Sequence, residues 1–180
     1  MTTSCSETLV LGIGNLIMTD DGVGVRTIHQ LQQRYRFPDS VTVMDGGTLG
    51  LDLLHYLEGI KRLLVVDAVE TGGLPGTHCR LTGDEINIAF RTKLSPHQMG
   101  LQDLLLVAEL RGFAPEEMVL LGVQPGEIGM GTELTPVVAD QVEPLVNAAL
   151  KELAAWNIGW EIIPGETDVS GTGPWSPVTV

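Results

Sequence analysis

The chain has 180 residues, enough for one domain rather than two, and it can bury about 70% of its unfolded surface without disulfide or metal staples. Apolar residues make up 43% and charged residues 18%, which is the composition of a globular chain and not of a disordered one. Ten basic against 23 acidic residues give a net charge of −13, which excludes a nucleic-acid binder and argues equally against docking on anionic lipid.

Residues 7–13, ETLVLGI, form a short apolar run ended by glycine and predict a buried strand. Val25, Ile28, Leu31 and Tyr35 then fall at helical spacing. Pro38 and Asp39 break the chain before a second strand, SVTVMD, at 40–45. A short helix is expected near Leu49–Leu57, with Thr48 as its N-cap. RLLVVDAV (62–69) has the continuous apolar centre of a parallel strand covered on both faces. A Gly- and Pro-rich loop at 72–76 leads to a short edge strand, THCRL, at 77–81. Ser95-Pro96-His97-Gln98 reads as a capping box opening a helix with Leu101, Leu104, Leu105 and Ala108 on its apolar stripe and Gly112 as its C-cap. EMVLLGV (117–123) is the last main strand. Thr135-Pro136 opens a helix carrying Val138, Val142, Leu145, Ala149 and Leu153.

Strands alternating with helices imply an α/β fold: a single domain with a twisted, mostly parallel sheet of about five strands, helices on both faces, and one short edge strand that can run antiparallel. The domain is expected over residues 1–160, followed by a Pro/Gly/Ser-rich tail over 161–180. The two cysteines, Cys5 and Cys79, have no metal-ligand or redox spacing and suit a reducing compartment. The opening MTTSCSET lacks a basic n-region and no apolar run approaches the ~20 residues needed to span a bilayer, so a cytoplasmic protein without membrane insertion is expected.

In open α/β sheets ligands bind beyond the carboxyl ends of the strands. The first strand is followed by Gly12-Ile13-Gly14-Asn15 and then Thr19-Asp20-Asp21-Gly22-Val23-Gly24. The second ends in Asp45-Gly46-Gly47-Thr48, the third in Asp67, and the last in Gln124-Pro125-Gly126. The first turn of the third helix brings His97 to the same side. The topology therefore gathers Asn15, Asp20, Asp21, Asp45, Asp67 and His97 at one edge, with no Lys or Arg among them. Carboxylates crowded in one cleft raise each other's pKa, and a divalent cation relieves them. Two carboxylates and an imidazole suit a borderline first-row metal and leave coordination positions open. Spacing alone leaves other roles open: Asp21 can cap the helix near Gly22, Asp45 can be a turn residue, and His97 can be an exposed polar residue. His29, His55 and His78 have no acidic cluster near them in sequence and read as structural.

The ordered set Gly12-Ile13-Gly14-Asn15, Asp20-Asp21-Gly22-Val23-Gly24, Asp45-Gly46-Gly47-Thr48, Val66-Asp67-Ala68 and Ser95-Pro96-His97-Gln98 resembles the maturation proteases of nickel–iron hydrogenases, over about residues 8–155. The resemblance implies an endopeptidase that clips the C-terminal extension from the large-subunit precursor of the hydrogenase after nickel insertion. It implies that Asp21, Asp67 and His97 contact the nickel, which the substrate supplies, and carry the catalysis. It places Asp45, Gly46, Gly47 and Thr48, with Asn15, in the substrate cleft. The family takes Asp or Glu at the first ligand position.

The residues fit no conventional protease: there is no Gly-x-Ser-x-Gly elbow and no His-Glu-x-x-His helix. Two rivals stand beside the protease. A metallochaperone or binding module would hold the same precursor and cut nothing. A dinucleotide-binding protein would use Gly12 and Gly14 as its fingerprint and Asp45 as its ribose acid, but position 17 is Ile where the third glycine belongs, and Asp20 and Asp21 would repel phosphate.

Overall fold

A computed structural model describes the backbone of residues 6–83, 85, 86 and 96–164, and the side chains of all of these except 96–99. Four strands run parallel: β1 (Thr8–Ile13), β3 (Val41–Gly47), β4 (Arg62–Ala68) and β6 (Glu117–Val123). β5 (His78–Thr82) lies antiparallel to β6 at the edge, and the order across the sheet is β3-β1-β4-β6-β5. The mostly parallel five-stranded sheet expected from the sequence is thus present, including its antiparallel edge strand.

Alternation along the strands sorts the core into two layers. Val10, Leu64, Val66 and Leu121 face α1 (Val23–Arg34) and α4 (Val142–Ala155). Leu9, Leu11, Leu63 and Val65 face the opposite way, toward a 3-10 helix at Gly50–Tyr56 and toward α2 (Pro96–Leu110). β4 is buried from Leu63 to Ala68 because both of its faces are covered, which is why its sequence shows a run and not an alternation. Asp67 shares the parity of Leu63 and Val65 and so belongs to the α2 side.

Several local expectations are corrected. The short helix after β3 is a 3-10 helix over Gly50–Tyr56. Its N-cap is Leu49 and not Thr48, and no side chain caps it. The helix opened by Thr135-Pro136 is two pieces, α3 (Pro136–Ala139) and α4, with a break at residues 140–141. Tyr35–Arg36 (β2) pairs antiparallel with Glu161–Ile162 (β7), a small second sheet at the start of the stretch read as a tail. Trp160 stands edge-on to Tyr35 at 6.5 Å and packs this ribbon onto the core. The α2 terminus follows its sequence signal: Gly112 has φ 77, its N–H bonds the Glu109 carbonyl (2.9 Å) and the Phe113 N–H bonds the Ala108 carbonyl (3.0 Å), a Schellman ending. Ser95 and the tail beyond Pro164 lie outside the described residues. Among the described residues no helix is long and apolar enough to cross a membrane.

Candidate active site at the strand ends

The end of β1 is shaped by two glycines. Gly14 has φ 131, and a Cβ there would lie 1.8 Å from the Asp21 carbonyl oxygen. Only glycine lets the 3-10 turn Thr19–Gly22 press against this bend. Gly24, two residues on, has its Cβ direction filled by the carbonyl oxygens of Val66 (2.2 Å) and Ile13 (2.4 Å), so α1 begins in backbone contact with the ends of β1 and β4. These close approaches carry Asp21 to the end of β4, where Asp67 lies.

Asp21 is 4% exposed and Asp67 0%. One Asp21 oxygen, Oδ2, accepts the Asn15 N–H at 2.9 Å, which fixes the carboxylate under the β1 loop. Asp21 does not cap α1, whose N-cap is Gly22 with no side-chain cap. Asp67 adds its charge to the surroundings of Cys79 on β5, and burial first, then that charge, pushes the Cys79 thiol up against a backbone hydrogen bond at Gly122 that lowers it. His97 lies in the first turn of α2, and its side chain is outside the described residues. The backbone fixes where that turn sits: Gly100, one turn later, packs on Gly50, a Cβ at Gly100 lying 3.0 Å from the Gly50 Cα, just beyond the end of β3. α2 therefore starts at the edge where Asp21 and Asp67 are found. Among the side chains described, no three His, Cys, Asp or Glu are grouped closely enough to hold a metal ion.

The other two acids at this edge, Asp45 and Asp20, are likewise engaged by the protein. Asp45, at the exposed end of β3, takes the His29 ring nitrogen at Oδ2 (2.9 Å) and the Gly47 N–H at Oδ1 (2.9 Å). The second bond closes a turn over Gly46 and Gly47, and Gly47 has φ 47. His29 thus has an acidic partner that its sequence surroundings do not announce. Gly46 is buried against Leu11 and Thr48 is exposed. Asp20 is wholly buried and accepts hydrogen bonds only from the loop after β6. Gln124, which sequence reasoning left without a role, is 4% exposed and ties the β4 and β6 loops together. Its Oε1 accepts from Thr71 N–H (2.7 Å) and Gly72 N–H (3.0 Å), and its Nε2 donates to Glu70 (2.8 Å). The position directly after a buried parallel strand, occupied by an amide, was the signal for it.

The 3-10 turn fills the space on the Cβ side of Gly14, and the Gly14 N–H is bonded to the Gly47 carbonyl (3.0 Å), so this bend does not offer the open amide that a dinucleotide fingerprint needs. A surface cavity of about 360 Å³, lined by Leu51, Asp52, His55, Glu58, Arg111 and Phe113, lies between the 3-10 helix and the C-terminal end of α2 and contains none of the expected site residues.

The chain is similar in sequence and fold to known proteins. A family model described as hydrogenase maturation protease matches residues 25–152. The chain is 43% identical over 152 residues to the hydrogenase expression/formation protein HupD of Bradyrhizobium diazoefficiens, covering 83% of this chain and 79% of that one. It is 40% identical over 159 residues to the hydrogenase 2 maturation protease of Escherichia coli, covering 88% and 96%. Among solved structures it is similar to the hydrogenase maturating endopeptidase HybD from E. coli, with TM-score 0.83 and 36% identity over 87% of this chain and 97% of that one. A nickel–iron hydrogenase maturation protease HybD from Thermococcus kodakarensis superposes with TM-score 0.69 at 29% identity, over 81% and 98%.

Proposed function

Because the chain belongs to the hydrogenase maturation protease family and is a hydrogenase maturation endopeptidase, we propose that its substrate is the large-subunit precursor of a nickel–iron hydrogenase, from which it removes the C-terminal extension after nickel has been inserted. The observation that carries this reading is the pair of buried carboxylates, Asp21 and Asp67, at adjoining strand ends, with α2 and its His97 starting at the same edge. Two carboxylates and an imidazole are the mixed oxygen and nitrogen donors that a borderline divalent metal prefers. The nickel arrives as part of the substrate. It is bound by Asp21, Asp67 and His97 through positions that the precursor leaves open.

Docking the metal holds the precursor's C-terminal segment across the strand ends, along the turn Asp45-Gly46-Gly47-Thr48. Fixing a scissile amide and a water molecule in one geometry removes much of the entropic part of the barrier. Water then adds its oxygen to the amide carbon, the C–N bond breaks, and the proton lost by the water is balanced by one gained at the departing amine. The proposed site of the reaction is the cytoplasm, a reading supported by Cys79 being a free thiol, which suits a reducing compartment.

The test is the mass of the precursor. Nickel-loaded precursor incubated with the enzyme is expected to lose its extension, and nickel-free precursor to stay intact. Asp21→Ala, Asp67→Ala and His97→Ala are each expected to lower processing by about 100-fold or more while remaining folded. Full activity in all three variants would refute the nickel-site assignment. Stable complex formation with no loss of mass would favour the metallochaperone.

A further inference from the structure

The loop between β6 and α3 is fastened more firmly than its connecting role requires. Asp20 takes the Gly126 N–H (2.8 Å), the Glu127 N–H (2.9 Å) and the Thr135 hydroxyl (2.8 Å) at Oδ2, and the Thr135 N–H (2.6 Å) at Oδ1. All four donors belong to this loop or to the residue that ends it, and none is a cation. Thr19, one residue earlier, adds a second fastening. Its hydroxyl donates to the Glu127 carbonyl (2.7 Å) and accepts the Gly129 N–H (3.0 Å). Its N–H donates to the Gly131 carbonyl (2.8 Å), while the Gly131 N–H reaches back to Ile17 (3.0 Å). Thr19 does this at φ 43, where a β-branched residue is rarely found.

The side chains on this fixed frame face outward. Met130 is 84% exposed and Ile128 48%, and across the Met18–Gly131 bridge Ile17 is 55% exposed. Leu74, 80% exposed, joins them from the loop after β4, where Gly76 N–H bonds the Gln124 carbonyl and Pro75 approaches Gly126. Four large apolar side chains thus stand in water on loops whose backbones adjoin, next to the strand-end site. Exposed Glu70, Glu127 and Glu133 lie on the same loops and supply three negative charges, against one from Arg26, which donates to the Thr132 carbonyl. Apolar groups held rigid before binding lose little entropy when a partner covers them, which is how a preformed docking surface gains affinity.

We propose that Asp20 is a positioning residue that locks the 125–135 loop as a docking wall, and that an extended apolar stretch of the precursor flanked by Lys or Arg settles on Ile17, Leu74, Ile128 and Met130. The identity of the occupant rests on the precursor-processing reading above. The three glutamates select the basic flanks, and continuity with the strand ends puts the docked stretch beside the bond to be cut.

The experiment compares processing kinetics, precursor affinity by calorimetry and thermal stability in full-length variants. Met130→Ser and Ile128→Ser remove exposed atoms, so their melting temperatures should not move. Their KM and precursor Kd should rise about tenfold, the effect of losing one apolar anchor, with kcat within about threefold of the starting enzyme. Asp20→Asn turns an amide NH2 toward N–H donors. It should raise KM likewise and speed amide exchange at Gly126, Glu127 and Thr135 but not within β1 or β4. Thr135→Val, which removes one donor only, should do the same to a smaller extent if the Asp20 variant is too unstable to assay. Unchanged KM and Kd in both serine variants would overturn the docking wall. A fall in kcat at constant KM for Asp20→Asn would overturn its positioning role. Because Kd is read separately from cleavage, an enzyme that binds precursor at this wall but does not cut it would count against the protease reading alone.

Discussion

Of the aspartates that the strand ends collect, Asp20 and Asp45 accept several of the protein's own hydrogen-bond donors, and Asp21 accepts the Asn15 N–H. Asp20 is covered by four N–H and O–H groups, and Asp45 by His29 and the Gly47 amide. Asp21 and Asp67 are also buried, Asp21 on the turn that leads into α1 and Asp67 at the end of β4. The division follows from what each loop offers: the segment after β6 presents backbone N–H groups, and the bend after β3 closes on its own side chain. Cys79, the nearest candidate for a nucleophile, is held in the opposite state to one. Burial raises its pKa and the Asp67 charge adds to that, the Gly122 hydrogen bond opposing both, so at neutral pH it is a protonated thiol. In a Cys5→Ser background, alkylation by iodoacetamide at pH 7 should be about tenfold or more slower than for a peptide thiol, and its rate should still be climbing above the ordinary thiol pKa of about 8.5. Alkylation at the peptide rate at pH 7 would show a reactive thiol and would reopen the question of a cysteine in the chemistry.

Between elements, the determining contact is α1 against the ends of β1 and β4. A Cβ at Gly12 would meet Ile28 at 2.4 Å and the Gly24 carbonyl oxygen at 2.6 Å, and one at Gly24 would meet two strand carbonyls closer still. Ala is favoured over Gly inside a helix by about 1 kcal/mol, but overpacking against backbone that cannot yield costs about 1–3 kcal/mol. Gly24→Ala should therefore be destabilising by up to about 2 kcal/mol in urea unfolding, and because it moves the turn bearing Asp21 it should lower processing more than its stability loss accounts for. A stabilised Gly24→Ala protein would show that α1 stands off the sheet. The element order was legible because hydrophobic runs and periods register burial on one or two faces, and β4 and α1 have clear patterns of both kinds. The segment Gly50–Tyr56 is legible only as a short helix, because seven residues give too few apolar positions to separate the α and 3-10 periods. The β2–β7 ribbon was not legible at all, since two-residue strands have no pattern and their partners lie more than a hundred positions apart. Of the site, topology accounts for Asp21 and Asp67 both lying at the carboxyl edge of the sheet. The engagement of Asp20 by Thr135 and of Asp45 by His29 depends on side-chain reach across loops, which topology does not encode.

Across the whole molecule the charge of −13 now has a distribution. Among the described residues Arg34 pairs with Glu143, Lys61 with Glu7, Arg62 with Glu117 and Arg80 with Glu152, so much of the small basic complement is already matched. Exposed pairs of this kind contribute little individually, a median of about 0–1 kcal/mol. The surplus acids repel one another through solvent, and that repulsion is long-ranged at low salt, where the Debye length is about 30 Å at 0.01 M against about 8 Å at 0.15 M. Repulsion should therefore outweigh the pairs, and raising NaCl from 0.01 M to 0.3 M should stabilise the protein by about 1 kcal/mol, seen as a rise in melting temperature of roughly 2–4 °C. A falling melting temperature over that range would mean that the ion pairs dominate. Precursor docking responds with the opposite sign if its flanks are basic, because screening removes the attraction of Glu70, Glu127 and Glu133 for them. One salt titration thus reads two opposed effects: the free enzyme becomes harder to unfold while its affinity for precursor falls and KM rises. If KM stayed level or fell as the salt rose, the acidic residues would be ordinary solvated surface, and docking would rest on the apolar side chains alone.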